Sequence, residues 1–506
     1  MSSTNPLYDR FIGARRADER PFLHLSDGQQ VRYSEAMASA HQIAHVLAGK
    51  GVQPGDRVAV QVGKSPEALY LYFACIAAGA VFLPLNTAYT AVELEYFVGD
   101  AEPSLVVCDP AYREALAPVA AKSGATLMTM GTSGDGDLIA AAKDKPTAFE
   151  PPRLAQDDLA AILYTSGTTG RAKGAMLTQQ NLLSNAETLT EYWRFGEGDV
   201  LLHALPIFHT HGLFVATNVT LSAGSSMIFL PKFDLDRMIA EMPRATAMMG
   251  VPTFYTRLLS DARFTKDLTA DMRLFVSGSA PLLAQTHSDF AERTGHRILE
   301  RYGMSETGMI TSNPYDGERR AGTVGYALPG ISVRVVDTTT GQPLPPGETG
   351  MIEVKGPNVF KGYWRMPEKT AAEMREDGFF VTGDLGVQEP DGRLSIVGRG
   401  KDLIISGGFN VYPKEIETEI DALDGVVESA VIGLPHSDFG EGVAAVIVQA
   451  PGAKLSESDV QSALSGRLAK FKQPKRVLFV DALPRNAMGK VQKQALRTDY
   501  ADTFAP

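Results

Sequence analysis

Apolar residues along the chain fall into two alternating textures: short runs that are apolar on both faces, and longer stretches in which they return every third or fourth position. RVAVQ (57–61) has strand length, the segment from Ser65 has helical spacing, and VFLPL (81–85) is again strand-like, which predicts one βαβ unit. The alternation recurs at SLVVCD (104–109), LAAILYT (159–165), SMIFLP (226–231) and RLFVSGS (273–279). Strands apolar on both faces belong to sheets covered on both sides, so this long part reads as α/β. From about residue 323 the texture turns to β-prone runs broken by turns, ISVRVVD (331–337), GMIEVKG (350–356) and GRLSIVG (392–398). A glycine-containing charged connector comes next, and then VESAVIGLP (427–435) and GVAAVIVQ (442–449) restart the alternation. The expected fold class is therefore α/β: a large N-terminal domain, 1–401, of α/β sheets plus a β-rich subdomain, and a small C-terminal α/β domain, 402–506.

Composition narrows the function classes. At 506 residues and 44% apolar the chain is long enough for more than one core. Lys and Arg number 48 against 59 Asp and Glu, and no block concentrates the positive charge, so no nucleic-acid partner is expected. Cys75 and Cys108 are the only cysteines, too few for a disulfide framework. With no signal-peptide pattern and no C-terminal address tag, a cytoplasmic location is expected. The uncharged run 68–85 has borderline length for a membrane span, but Ala-Ala-Gly and Pro84 divide it into helix, turn and buried strand.

The richest motif is YTSGTTGRAKG (164–174), directly after the strand-like LAAILYT. Glycines let backbone N–H groups converge, Ser and Thr add donors, and Lys173 adds a positive charge, which together suit a polyphosphate. It is not a Walker A loop, because Gly167, Gly170 and Lys173 are three apart. A surface turn would share this composition. His209 and His211 in ALPIFHTHGL lack a third nearby ligand, which disfavours zinc.

With RYGMSET (301–307), TGD (382–384), GRGKDLIISGGFNVYPKEIE (398–417) and PRNAMGKVQK (484–493), the loop resembles, in order, the signature blocks of the adenylate-forming superfamily of acyl-CoA synthetases, peptide-synthetase adenylation domains and luciferases. The resemblance implies an AMP-binding N-terminal domain, a mobile C-terminal domain, and the co-substrates ATP, Mg²⁺ and coenzyme A. A carboxylate would attack the ATP α-phosphate to give an acyl-adenylate, and a thiol would then attack the acyl carbon. By the same resemblance Thr165, Ser166, Gly167, Thr168, Thr169, Gly170 and Lys173 clamp the phosphates, and Glu306 with Thr165 serves Mg²⁺. Gly278, Ser279, Ala280, Tyr302, Gly303, Met304, Ser305 and Thr307 form the nucleoside and α-phosphate site, joined by Asp384 and Arg399 at the ribose. Many relatives carry Thr at the position of Ser305, and the hydroxyl is retained here. Lys490 resembles the catalytic lysine of adenylation, Asp402 the hinge, and Gly407, Gly408 and Phe409 the pantetheine approach.

ALPIFHTHGLF, GVPTFYTRLL, SGSAPLL and TSNPYDGERRAG are particularly similar to malonyl-CoA synthetases. That likeness implies His209 and Ser279 beside the acyl group and Arg257 as a buried guanidinium on the distal carboxylate, for which a dicarboxylate is the natural partner. The expected substrate is malonate, with methylmalonate admitted, and the expected activity is malonate–CoA ligase (AMP-forming). A ligase for another short or branched acid and a non-catalytic nucleotide-binding regulator are the alternatives. A lysine acyltransferase acting on Lys490, as in some relatives, is the further partner the likeness brings.

Overall fold

The computed structural model describes residues 5–165, 172–406, 409–436, 439–465, 467–468, 470–486 and 489–504. Contacts divide the chain into two compact units, 1–332 with 354–380, and 333–353 with 381–506. By contacts, segments 333–353 and 381–401 group with 402–506. The β-rich runs thus extend the smaller unit.

Two sheets organise the first unit. In the nine-stranded sheet the order is Tyr326–Ala327, Gly308–Ser312, Leu299–Met304, Leu274–Ser277, Ala247–Gly250, Val200–His203, Ser226–Phe229, Pro21–Leu25 and Gln30–Arg32. Its central pairs are parallel, as the two-sided apolar runs require. The seven-stranded sheet runs Gly362–Tyr363, Lys173–Thr178, Leu159–Thr165, Val81–Pro84, Arg57–Gln61, Leu105–Cys108 and Thr126–Thr129.

The expected βαβ unit is present. Arg57–Gln61 and Val81–Pro84 are parallel neighbours joined by the helix Pro66–Ala78. Ser65 caps that helix by accepting from the Ala68 N–H at 3.2 Å, and Gly79 ends it at φ +71°, where a Cβ would be strained. Residues 68–78 are buried on every side, which explains a run apolar enough to invite a membrane reading. Among the described residues no helix is long and apolar enough to cross a membrane.

The second unit holds a four-stranded sheet, Ser332–Val336, Thr349–Lys355, Phe380–Gln388 and Leu394–Arg399. Beyond it, Val426–His436 and Gly440–Gln449 form a long antiparallel pair flanked by Ile404–Ser406 and Arg476–Val480. The helices Pro413–Asp421 and Glu457–Leu464 contribute Ile416, Ile420, Val460 and Leu464 to a core with Val431, Val443 and Ile447.

Asp421, at the end of the first of these helices, accepts from Ser429 Oγ at 2.7 Å. Burial, partly offset by that hydrogen bond and by Lys414, pushes its carboxyl up to about 6. An acid whose folded pKa lies above its unfolded value stabilises the fold fully below the unfolded value near 3.8, and that contribution is lost as pH rises through about 6. The shift corresponds to about 3 kcal/mol at most. Asp421→Asn is therefore expected to raise the unfolding midpoint at about pH 8 and leave it near wild type at about pH 4. Equal shifts at both pH values would contradict this origin.

Candidate active site

The phosphate-loop motif joins an antiparallel hairpin. Leu159–Thr165 pairs with Lys173–Thr178, with Thr165 opposite Lys173, and Thr165 Oγ1 lies 3.5 Å from the Lys173 carbonyl. Ser166, Gly167, Thr168, Thr169 and Gly170 lie outside the described residues, as do Gly407 and Gly408. Phe409 is described only as backbone, in the strand Phe409–Val411.

Lys173 is buried, and its ammonium lies 3.4 Å from Glu373 Oε1 and 4.2 Å from the centre of the Tyr363 ring. The strand Gly362–Tyr363 delivers that ring by pairing with Lys173–Thr178, Tyr363 opposite Ala175, while the Trp364 N–H donates to the Gly174 carbonyl. The Tyr363 hydroxyl reaches two carboxylates, Glu306 Oε1 at 3.1 Å and Glu373 Oε2 at 2.7 Å. Burial, and then the charge of Glu306, push this phenol far above its usual range. Burial would also raise Glu373, but hydrogen bonds from Lys369 and Tyr363 and the nearby lysine charges hold it below the usual carboxylate range.

Glu306 is buried, and its carbonyl accepts from the Phe360 N–H at 2.8 Å. Among the described residues no cluster of three or more His, Cys, Asp or Glu could hold a metal by itself. Glu306, fixed beside this hairpin, would suit Mg²⁺, which keeps several waters and completes its shell with phosphate oxygens.

The SGSAP turn comes directly after the strand Leu274–Ser277. Ser279 adopts φ +72°, a left-handed conformation costing roughly 1–3 kcal/mol, and its Oγ lies 3.2 Å from His211 Nδ1. Ala280 is half-buried beside it. Tyr302, Gly303, Met304 and Ser305 are half-buried along and just beyond Leu299–Met304. Gly303 sits at a bulge where a Cβ would lie 2.1 Å from the Gly308 carbonyl oxygen. Thr307 is buried and donates to the Gly308 carbonyl at 3.0 Å. His209 is half-buried, its Nδ1 accepting from the His211 N–H at 3.4 Å.

In the second unit Asp384 and Arg399 face each other on paired strands, with Arg399 Nε donating to Asp384 Oδ1 at 2.7 Å. Asp402 accepts from Arg497 Nη2 at 2.7 Å. Lys490 is exposed in a tight turn, its N–H donating to Asn486 Oδ1 at 3.0 Å and its carbonyl accepting from the Asn486 N–H at 3.0 Å.

Arg257 requires a correction. It was expected to be buried, but on the helix Pro252–Leu259 it is exposed, with its guanidinium 5.6 Å from the centre of the Phe233 ring. The buried guanidinium is Arg301, the first residue of RYGMSET, which sequence reasoning passed over. Its Nε and Nη2 have no hydrogen-bond partner among the described residues, and burial pulls its pKa down to about 9. It lies against the SGSAP turn so closely that a Cβ on Gly278 would be 2.3 Å from its Cζ. His211 is buried nearby with Nε2 also unpartnered among the described residues, and burial, then Arg301, hold its imidazole well below the usual range.

A hairpin that offers a lysine, a buried acid beside it and a glycine-serine turn next to a buried cation define a class of nucleotide-dependent carboxylate-activating enzymes. The chain belongs to the AMP-binding enzyme family, whose model matches residues 12–364, and the AMP-binding enzyme C-terminal domain matches residues 415–490. It is 60% identical to the ATP-bound MatB of Rhodopseudomonas palustris, with a TM-score of 0.98 over 99% of this chain and 100% of that one. A feruloyl-CoA synthase of Amycolatopsis is 37% identical over 94% of each chain. A malonate–CoA ligase of Arabidopsis thaliana is 34% identical over 93% of this chain and 85% of its own.

Proposed function

We infer that the protein is an AMP-forming acid–CoA ligase that joins malonate to coenzyme A through a malonyl-adenylate. ATP, Mg²⁺ and CoA are its co-substrates and cofactor. One malonate carboxylate oxygen attacks the α-phosphorus of ATP while the bond to the bridging oxygen breaks and pyrophosphate leaves. The CoA thiol then attacks the acyl carbon and AMP departs. Two anions must be brought together in the first step, so fixed cations and donors matter more than a covalent nucleophile. Bound with ATP, Mg²⁺ neutralises phosphate charge.

In this reading Lys173 and Thr165 serve the β and γ phosphates, Glu306 holds Mg²⁺, and Gly278 to Ala280 with Tyr302 to Thr307 take the nucleoside and α-phosphate. Asp384 and Arg399 serve the ribose. Lys490 serves adenylation only, and Asp402 is the hinge that opens the C-terminal domain of residues 402–506. The backbone at 407–409 serves the pantetheine arm. Cytoplasmic residence and acylation of Lys490 by a regulatory acyltransferase belong to the same proposal; the former is supported by two unpaired cysteines, the latter by family likeness alone.

One observation carries the substrate choice: Arg301, buried beside the SGSAP turn with two N–H-bearing nitrogens unpartnered among the described residues. A buried cation with unsatisfied donors is costly, and the distal carboxylate of a small diacid satisfies it in a way no monoacid can. Arg257 is kept as a second guanidinium nearer the solvent.

An acid panel with ATP and CoA tests this. Losing one member of a buried charge pair costs about 2–5 kcal/mol, so Arg301→Gln is expected to lower kcat/KM for malonate by roughly 30- to 5,000-fold while sparing propionate. Arg257→Ala is expected to cost about tenfold or less, as for an exposed ion pair. The reverse ranking would return the distal carboxylate to Arg257. Ready turnover of medium-chain monoacids with neglect of diacids would leave the alternative of another acid, and absence of pyrophosphate release with every acid would leave the regulator.

Lys490→Ala is expected to abolish acid-dependent pyrophosphate release yet retain thioester formation from supplied malonyl-adenylate. Equal loss of both steps would contradict a lysine confined to the first.

A further inference from the structure

The phosphate site contains a second carboxylate to which the ligase chemistry gives no role. Lys173 is 7% exposed, and an ammonium so deeply placed needs a counter-charge whether or not ATP is bound. Glu373 supplies one, from the helix Pro367–Glu373. The contact of 3.4 Å is longer than the 2.7–2.9 Å of a strong charge-assisted hydrogen bond. The same oxygen, Oε1, takes Lys369 at 2.6 Å, and Tyr363 fixes Oε2 at 2.7 Å. Glu373 is therefore held on both oxygens by groups other than Lys173. When Lys173 leaves, Lys369 still neutralises the acid, so departure strands no charge. The ring of Tyr363 beneath the ammonium lets it shift while remaining over a favourable face.

We propose that Glu373 is a positioning residue that holds the Lys173 ammonium between turnovers and yields it to the β and γ phosphates of ATP. It thereby weakens ATP binding in exchange for easier release of pyrophosphate. A triphosphate outcompetes one carboxylate because it offers several charges at once. Pyrophosphate, no longer tethered to the nucleoside, is more readily displaced when Glu373 takes the lysine back. The proposal rests on the reading of Lys173 as a triphosphate ligand.

The test is calorimetric binding of MgATP to the full-length protein, together with pyrophosphate inhibition of the ligase reaction. Glu373→Gln keeps the shape and the Tyr363 contact but removes the charge. It is expected to tighten ATP binding and pyrophosphate inhibition by about three- to tenfold, the scale of a partly exposed ion pair. Lys369→Met removes the competitor for Oε1 and is expected to weaken ATP binding by a similar factor. A purely structural role would weaken binding in both variants. Unchanged or weaker ATP binding in Glu373→Gln, or a raised Mg²⁺ requirement marking Glu373 as a metal ligand, would overturn the proposal. Lys173→Ala separates the two levels. If it weakens ATP binding while Glu373→Gln changes nothing, the placeholder alone fails. If it leaves ATP binding untouched, the triphosphate reading fails and the placeholder with it.

Discussion

A cation removed from water must be answered by an anion, and the first unit meets this demand in two ways. Lys173 is answered from within, by Glu373 across the phenol of Tyr363. Arg301 is not: two of its nitrogens have no partner among the described residues, and burial pulls its pKa down. In the proposed reading, Lys173 would bind and release its ligand in every cycle and so has an internal counter-charge, whereas Arg301 would meet its counter-charge in the substrate. If Arg301 faces the acid as proposed, an acid lacking a second carboxylate would leave it unsatisfied, and selectivity would follow from that penalty.

The arrangement depends on backbone more than on side-chain choice. Gly278 has no Cβ because Arg301 occupies the space one would fill. Ser279 accepts a left-handed backbone that turns its hydroxyl to His211. Tyr363 reaches the carboxylates only because the two-residue strand Gly362–Tyr363 pairs with Lys173–Thr178 across a long separation in sequence. That pairing joins the phosphate hairpin and Glu306 in one rigid frame, so the acid that suits Mg²⁺ and the lysine that suits phosphate are positioned by the same ring.

Periodicity made most of the elements legible. The strands at 57–61, 105–108, 159–165 and 274–277 and the helix from Pro66 lie where apolar spacing put them, because burial on both faces leaves a plain trace in composition. Which strands become neighbours was not legible, and the missed residues share that cause. The segment 362–373 carries none of the motifs read from the sequence; only sheet pairing brings Tyr363 and Glu373 to Lys173. Arg257 stands among apolar residues, and a helix with one face in water does not announce which face carries its arginine; Arg301 follows Glu300 and carries no apolar signal of its own. Arg301 lies on a strand running into the nine-stranded sheet, where alternation and the neighbouring SGSAP turn make the inward direction buried. The β-rich runs pair with one another in their own four-stranded sheet, a partnership sequence texture alone does not show.

The position proposed as the hinge, Asp402, lies next to two ion pairs of the second unit. Arg399 is tied to Asp384 on the four-stranded sheet, and Asp402 is tied to Arg497 on the last helix, Lys493–Asp499, each at 2.7 Å. Both ion pairs lie within the second unit, one on either side of the connector. Gly400 and Lys401 are what separates the two anchors. Glycine at the first of these positions has the widest range of backbone dihedrals, and Lys401 is exposed and can swing through water. Asp402, the position proposed as the hinge, thus follows directly on the two residues that separate the ion pairs.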